Sequence, residues 1–335
     1  MRNTLPVVAI GAMGGTIAMK PSTPSGANTP GLEAQDLVDA VPGLSDIVEL
    51  RIANICNLPS PSISVTDVLQ ALDFARRAVT AGAVGVVITH GTDTLEETAY
   101  LLDLLWEEAA PIVITGAMRS ATAAGAEGPA NLLAAVMTAA SPQARGLGVL
   151  TCLNDTVHLA SRVQKTSSMA VEAFDSPGFG PIGRLVESEF RLLWGLVSPR
   201  PDVLPAPGTG PIDVALLECA LNDDGRLVRL VQAAGFAGIV ISGLGVGHVP
   251  IPVADAISEA IEAGVTVAIG SRTARGGTAT NLYGYPGSEA DLISRGVIMT
   301  GALSPRKARL LLHVLLGAGY DPDAIRARMM LHAST

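Results

Sequence analysis

Val86-Val87-Ile88-Thr89-His90-Gly91-Thr92-Asp93-Thr94-Leu95-Glu96-Glu97-Thr98-Ala99-Tyr100 is the stretch from which the rest of the chain can be read. It opens as an apolar, β-branched run, the pattern of a strand buried on both faces. Gly91 breaks the run and a helix follows. Thr94 with Glu97 three residues on spells a T-x-x-E capping box, which predicts that the helix starts there. Leu95, Thr98, Ala99, Leu102, Leu105 and Trp106 then recur on one helical face, with Glu96, Asp103 and Glu107 directed away from it. Pro111 is expected to end the helix, and Pro111-Ile112-Val113-Ile114-Thr115-Gly116 reads as the next strand. A strand–helix–strand unit of this kind builds a parallel sheet, and ligands of such sheets sit beyond the carboxyl ends of the strands. Thr92 and Asp93 fall at that edge.

The whole chain fits such a fold. At 335 residues it has room for about two domains. It is 48% hydrophobic and 16% charged, enough to bury a large core. No apolar run reaches the roughly 18 residues of a membrane helix, and Leu5–Ile10 is too short for the core of a secretory signal. The net charge of −9 argues against a nucleic-acid partner, whose phosphates call for basic patches. Cys56, Cys152 and Cys219 are widely spaced among apolar neighbours, which reads as buried thiols in a reducing compartment. Neither disulfides nor a metal site is expected, and the inferred location is the cytoplasm.

Leu5–Ile10 reads as the first strand, followed by a glycine loop, Gly11-Ala12-Met13-Gly14-Gly15-Thr16-Ile17-Ala18. The order of its glycines is wrong for G-x-G-x-x-G, and no P-loop lysine follows, so a nucleotide-binding dehydrogenase is disfavoured. Residues 20–31, rich in Pro, Ser, Thr and Gly, read as a mobile loop. Helices are expected over 32–40, 66–81 and 131–140, and a strand over 148–153. Residues 154–167 read as an ordered loop or hairpin. The chain contains only three lysines, Lys20, Lys165 and Lys307; such residues are usually solvated, but Lys165 sits in a polar Thr/Ser context after a buried strand. Four prolines between 197 and 208 mark a linker. After it, strands at 214–217, 238–242 and 265–270 and helices at 227–234, 253–263 and 305–316 make a second α/β domain. The fold class expected is therefore α/β with two doubly wound domains. The larger parallel-type sheet lies in residues 1–196, the linker in 197–212 and the smaller domain in 213–335.

Gly14-Gly15-Thr16-Ile17-Ala18, His90-Gly91-Thr92-Asp93-Thr94 and Asn154-Asp155-Thr156-Val157 with Lys165-Thr166, in this order and at these separations, resemble the bacterial L-asparaginase/glutaminase family. Gly116-Ala117-Met118-Arg119, Glu127-Gly128-Pro129-Ala130-Asn131-Leu132 and Lys307-Ala308-Arg309 extend the resemblance over essentially the whole chain. It implies two α/β domains, an amidohydrolase activity without cofactor or metal, an amino-acid amide as substrate, and a homotetramer assembled as a dimer of dimers. Thr16 looks like the family nucleophile, and Thr92, Asp93 and Lys165 like the second triad, whose lysine in its amine form draws a proton from Thr92 or from water. Which threonine attacks first is left open by the sequence. Asp93 looks placed for the substrate ammonium, Ser60 for its carboxylate, and the Ala117 carbonyl for its side-chain amide. Backbone N–H groups near Thr16 and Thr92 are candidates for an oxyanion hole, and Gly91 is counted with the substrate-binding residues. Taken singly, Thr92 and Asp93 also suit a helix start, Ser60 an ordinary loop, and His90 a buried packing residue.

The departures from the family pattern are specific. The family's first triad uses a tyrosine soon after the glycine–threonine motif, whereas the first tyrosine here is Tyr100. A hydroxyl among Ser22, Thr23, Ser25 and Thr29, a water, or Tyr283 or Tyr285 is the candidate substitute. A Ser-Gln pair of the family reads Ser60-Pro61, and an asparagine that relatives present across the dimer reads His248. Counted back from Gly301-Ala302-Leu303, the family's intersubunit glutamate falls on Glu289. The leading expectation is hydrolysis of L-asparagine to L-aspartate and ammonia. The alternatives are the same chemistry on a larger asparaginyl-type amide and an inactive amino-acid-binding sensor.

Overall fold

The computed structural model describes residues 5–21, 28–195, 200–208 and 212–334. The chain forms two compact units, Met1–Arg200 and Pro201–Thr335. Among the described residues no helix is long and apolar enough to cross a membrane.

In chain order the first unit carries β1 (Val7–Gly14), β2 (Met19–Pro21), β3 (Asn28–Pro30), α1 (Ala34–Asp39), β4 (Glu49–Leu58), α2 (Val65–Thr80), β5 (Gly85–Thr89), α3 (Leu95–Leu105), β6 (Ile112–Thr115), α4 (Gly128–Ala140) and β7 (Val149–Leu153). It continues with β8 (Thr156–Leu159), β9 (Gln164–Lys165), β10 (Phe174–Asp175), β11 (Gly183–Val186) and β12 (Glu189–Leu192). Eight strands form one sheet in the order β12-β11-β8-β7-β6-β5-β1-β4. β4, β1, β5, β6 and β7 run parallel. Every residue of β5, β6 and β7 is buried, as strands covered on both faces must be. On one face Val8, Ile10, Val87, Val113 and Leu150 pack with Leu132, Ala135 and Ala139 of α4. On the other lies α2, where a Cβ added to Gly11 would meet Phe74 at 2.8 Å. Each large apolar side chain so buried stabilises the fold by about 1.5–3 kcal/mol.

The expected parallel core of five strands is extended at one edge into a mixed sheet. β8, β11 and β12 extend it antiparallel. The β7–β8 turn is made by Asn154 (φ 51) and Asp155 (φ 55), residue types that tolerate the left-handed region a two-residue hairpin requires. The β11–β12 turn uses Glu187 (φ 52) and Ser188 (φ 61), which carry no such signal, so this hairpin is silent in the sequence. Residues 20–31 are also not wholly loop: Met19–Pro21 and Asn28–Pro30 pair antiparallel. Ser22, Thr23 and Ser25 lie outside the described residues, and Thr29 is exposed.

The central helix departs from its pattern in three ways. Thr94 is its N-cap residue, but the side chain makes no cap hydrogen bond and the capping box does not form. Its hydroxyl donates to the Ser60 carbonyl at 2.8 Å instead. The helix ends at Leu105, well before Pro111. Glu96, expected to point away from the core, is buried, as are Tyr100, Leu101 and Leu104 on its flanks. Packing on several sides has overridden the single apolar stripe.

The second unit holds β13 (Val214–Glu218), α5 (Arg226–Ala233), β14 (Gly238–Gly243), α6 (Ile251–Glu262), β15 (Thr266–Ser271), α7 (Glu289–Ser294), β16 (Ile298–Met299), α8 (Pro305–Gly317) and α9 (Pro322–Ser334). Its four strands pair in chain order, all parallel. Ile239, Ile241, Val267 and Ile269 pack with Val253 and Ile257 of α6 and Leu292 of α7. α8 covers the opposite face, where a Cβ on Gly238 would meet Leu312 at 2.9 Å. β16, α7 and α9 are not foreshadowed by the sequence pattern. Of the proline-rich linker, residues 200–208 have no regular structure, while 196–199 and 209–211 lie outside the described residues.

The cysteines are free thiols. Burial pushes Cys152 up to about 12 and Cys219 up to about 11, whereas Cys56 is only half-buried. Lys20 is exposed, but Lys307, in the first turn of α8, is buried, against the solvated reading of an ordinary lysine.

Candidate active site

Three loops converge beyond the carboxyl ends of β1, β4 and β5. Gly14 (φ 96) and Gly15 (φ 85) turn the chain out of β1, and Thr16 opens a short 3-10 turn, Thr16–Ala18. A Cβ on Gly15 would stand 2.2 Å from the Gly91 Cα, and one on Gly91 would stand 2.7 Å from Ser60 Cβ. Only glycine permits this approach. The Gly15 N–H donates to the Leu58 carbonyl at 3.2 Å, closing the third side. The sequence motifs holding Thr16, Ser60 and Thr92 are thereby stitched together by backbone contact.

His90 anchors the central turn. It is completely buried, with Nδ1 at 2.7 Å from the Gly91 carbonyl and Nε2 at 3.0 Å from the Thr98 hydroxyl. A carbonyl can only accept, so Nδ1 carries the proton and Nε2 accepts from Thr98. Burial lowers its pKa to about 4, which keeps the ring neutral. It is a packing and hydrogen-bonding residue, as read from the sequence.

Thr92 and Asp93 follow directly. The Asp93 N–H donates to Ser60 Oγ at 3.2 Å, so Ser60, itself buried, fixes the start of the next turn. Lys165 arrives from β9. Its Nζ lies 2.9 Å from the Thr92 hydroxyl oxygen and 2.6 Å from Asp93 Oδ1. Its backbone N–H donates to the buried Glu96 carboxylate on α3. A hydroxyl, an amine and a carboxylate thus stand in hydrogen-bond sequence, with the carboxylate more than half exposed and the lysine side chain 14% exposed. That is the arrangement of a nucleophile or water activator with its base and an orienting group.

Ala117 is completely buried in the loop after β6. A Cβ on the preceding Gly116 would lie 2.5 Å from the His90 carbonyl and 3.4 Å from Thr92 Cγ2, which sets this loop against the Thr92 turn. Thr16, Ser60, Gly91, Thr92, Asp93, Ala117 and Lys165 all belong to the first unit. Glu289 belongs to the second and has its carboxylate fully engaged there. It is completely buried, accepts from the backbone N–H groups of Leu282 and Tyr283, and lies 2.8 Å from His248 Nε2. His248 Nδ1 in turn meets the Tyr285 hydroxyl at 2.8 Å. Tyr100, the first tyrosine, is buried in α3. Among the described residues no three His, Cys, Asp or Glu side chains form a group that would hold a metal ion.

The sequence reading missed Glu96, which holds the Lys165 backbone, and the roles of Glu127 and Asn131. The signal for the latter pair was present in the Glu127–Leu132 motif but carried no chemistry. Asn131 donates to the Gly116 carbonyl and accepts from the Asn154 N–H, both at 2.9 Å.

Comparison with known proteins matches residues 7–198 to the family description "Asparaginase, N-terminal" and residues 213–329 to "Glutaminase/Asparaginase C-terminal domain". An L-asparaginase of Bacillus licheniformis is 33% identical over 312 residues, covering 93% of this chain and 95% of that protein. L-asparaginase 2 of Escherichia coli (strain K12) is 34% identical over 334 residues, 96% of this chain and 92% of its own. The crystal structure of a probable cytoplasmic L-asparaginase from Campylobacter jejuni superposes with a TM-score of 0.87 at 32% identity, covering 97% of this chain and 99% of that one.

Proposed function

The chain belongs to the asparaginase family, and from that premise we propose that it hydrolyses the side-chain amide of L-asparagine to L-aspartate and ammonia. The observation that carries the proposal is the placement of Lys165 Nζ between the Thr92 hydroxyl and Asp93.

In this reading Thr16 takes the acyl group, releasing ammonia, and water then frees aspartate. Lys165, in its amine form, draws a proton from Thr92 or from the attacking water, and Asp93 holds the amine on line. Either threonine is positioned by a turn of its own, and the order of attack is a matter for kinetics. Backbone N–H groups near Thr16 and Thr92 supply the oxyanion stabilisation that amide hydrolysis requires. Asp93, exposed toward solvent, receives the substrate ammonium, Ser60 lies beside its carboxylate, and the Ala117 carbonyl accepts from its amide. No cofactor is called for. The three free thiols favour a cytoplasmic location. The resemblance to the family further supports a homotetramer; light scattering on active enzyme tests this, and a fully active monomer would exclude any residue shared between subunits.

The test of the activity is a coupled ammonia-release assay on L-asparagine, L-glutamine and an asparaginyl dipeptide. Turnover of free asparagine above the other two is expected. Turnover of the dipeptide alone would favour the larger-amide alternative, and no turnover of any of them would favour the amino-acid sensor.

A further inference from the structure

We propose that Glu127 is a positioning residue for substrate-amide recognition, acting through the Ala117 carbonyl; the inference rests on the reading of Ala117 given above. Glu127 precedes α4 as its N-cap residue, yet its side chain makes no cap hydrogen bond. It reaches back across the loop instead, and one oxygen, Oε1, accepts from the backbone N–H groups of both Met118 and Arg119, the latter at 3.2 Å.

The consequence follows from peptide geometry. The Ala117–Met118 peptide is trans and planar, so the Ala117 carbonyl points opposite to the Met118 N–H. Holding that N–H on a carboxylate fixes the carbonyl in the direction facing away from Glu127. The preceding peptide is fixed as well, because Asn131 Nδ2 donates to the Gly116 carbonyl at 2.9 Å. Ala117 is therefore pinned on both sides, with Gly116 pressed against the Thr92 turn.

Stability alone does not account for this carboxylate. Its second oxygen, Oε2, is buried and has no hydrogen-bond partner among the described residues. The nearby Arg119 guanidinium donates to the Gly125 carbonyl at 2.8 Å and makes no ion pair with Glu127. Glu127 as a whole is half-buried, but a shielded carboxylate oxygen with no partner is unfavourable, offset only in part by the N-terminus of α4. The return is the orientation of one carbonyl.

The experiment compares L-asparagine with L-aspartic acid β-methyl ester, which offers the same carbonyl carbon but no N–H for Ala117 to receive. In Glu127→Ala, kcat/KM for asparagine should fall about tenfold or more, the scale of one hydrogen bond, while the ester should change by less than about threefold. Glu127→Gln keeps an acceptor but loses the charge, and should show a smaller loss with the same selectivity. It decides the matter if the alanine variant does not fold. Parallel loss on both substrates, or no loss on asparagine, overturns the positioning role. Wild-type protein that turns over neither substrate overturns the reaction itself, and the role with it.

Discussion

Gly15 and Gly91, far apart in the chain, meet backbone to backbone: a Cβ on Gly15 would lie 2.2 Å from both the Cα and the N of Gly91. This contact joins the Thr16 turn to the Thr92 turn. Gly15 also holds φ 85, a conformation that L side chains rarely adopt.

Gly15→Ala is therefore expected to lose about 2 kcal/mol or more of stability from strain and overlap together. That corresponds to a fall in Tm of roughly 5 °C, read by calorimetry, with asparagine turnover lost beyond what the unfolded fraction explains. Gly195, where an added Cβ would meet nothing within 4 Å, is the control. Gly195→Ala should change Tm by no more than about 2 °C. Equal behaviour of the two variants would show that the close approach does not matter.

Lys165 is the base of the proposed reaction. Lys165→Met should remove turnover while aspartate binding, followed by calorimetric titration, persists. Lys165→Arg should not restore it, because a guanidinium stays charged and cannot take the proton. Full activity in the arginine variant would mean that a fixed positive charge suffices.

Two buried histidines set an acid limit. Burial lowers His90 to about 4, and burial with the neighbouring Arg328 lowers His332 to about 4. Both titrate near 6.5 in the unfolded chain, which therefore binds more protons between pH 6.5 and pH 4. Stability should be unaffected by these groups above pH 6.5 and should fall as pH drops toward 4. For His90 the loss is roughly 3 kcal/mol. Tm measured from pH 7 to pH 4 should decline less steeply in His90→Gln than in the wild type. Identical slopes would remove His90 from the acid response.

Most of the parallel strands and helices were legible because each carries its own local pattern, β4 and the two-residue β16 being the exceptions among the parallel strands. Val86–Ile88 and Ile112–Ile114 are β-branched runs, and 253–263 and 305–316 keep a helical period. The β11–β12 hairpin was not, because Glu187 and Ser188 turn in the left-handed region without Gly or Asn to announce it. Glu96 was placed outward by helical spacing, but its environment is set by Lys165, a contact no window around residue 96 contains. The same holds for Thr94, whose hydroxyl is taken by Ser60 before it can cap its helix. Thr16, Thr92, Asp93 and Lys165 were found as types and order of residues. The distances that make three of them one hydrogen-bonded group came only with the fold.

The central claim is threonine-based hydrolysis of asparagine, and the most direct measurement is kcat for ammonia release by wild type, Thr16→Ala and Thr92→Val in parallel, with Tm confirming that each is folded. Wild-type turnover with a fall of roughly three decades or more in each variant is the predicted result, since residues that act as a unit fail together. Turnover in either folded variant within about tenfold of wild type would contradict the role given to that threonine.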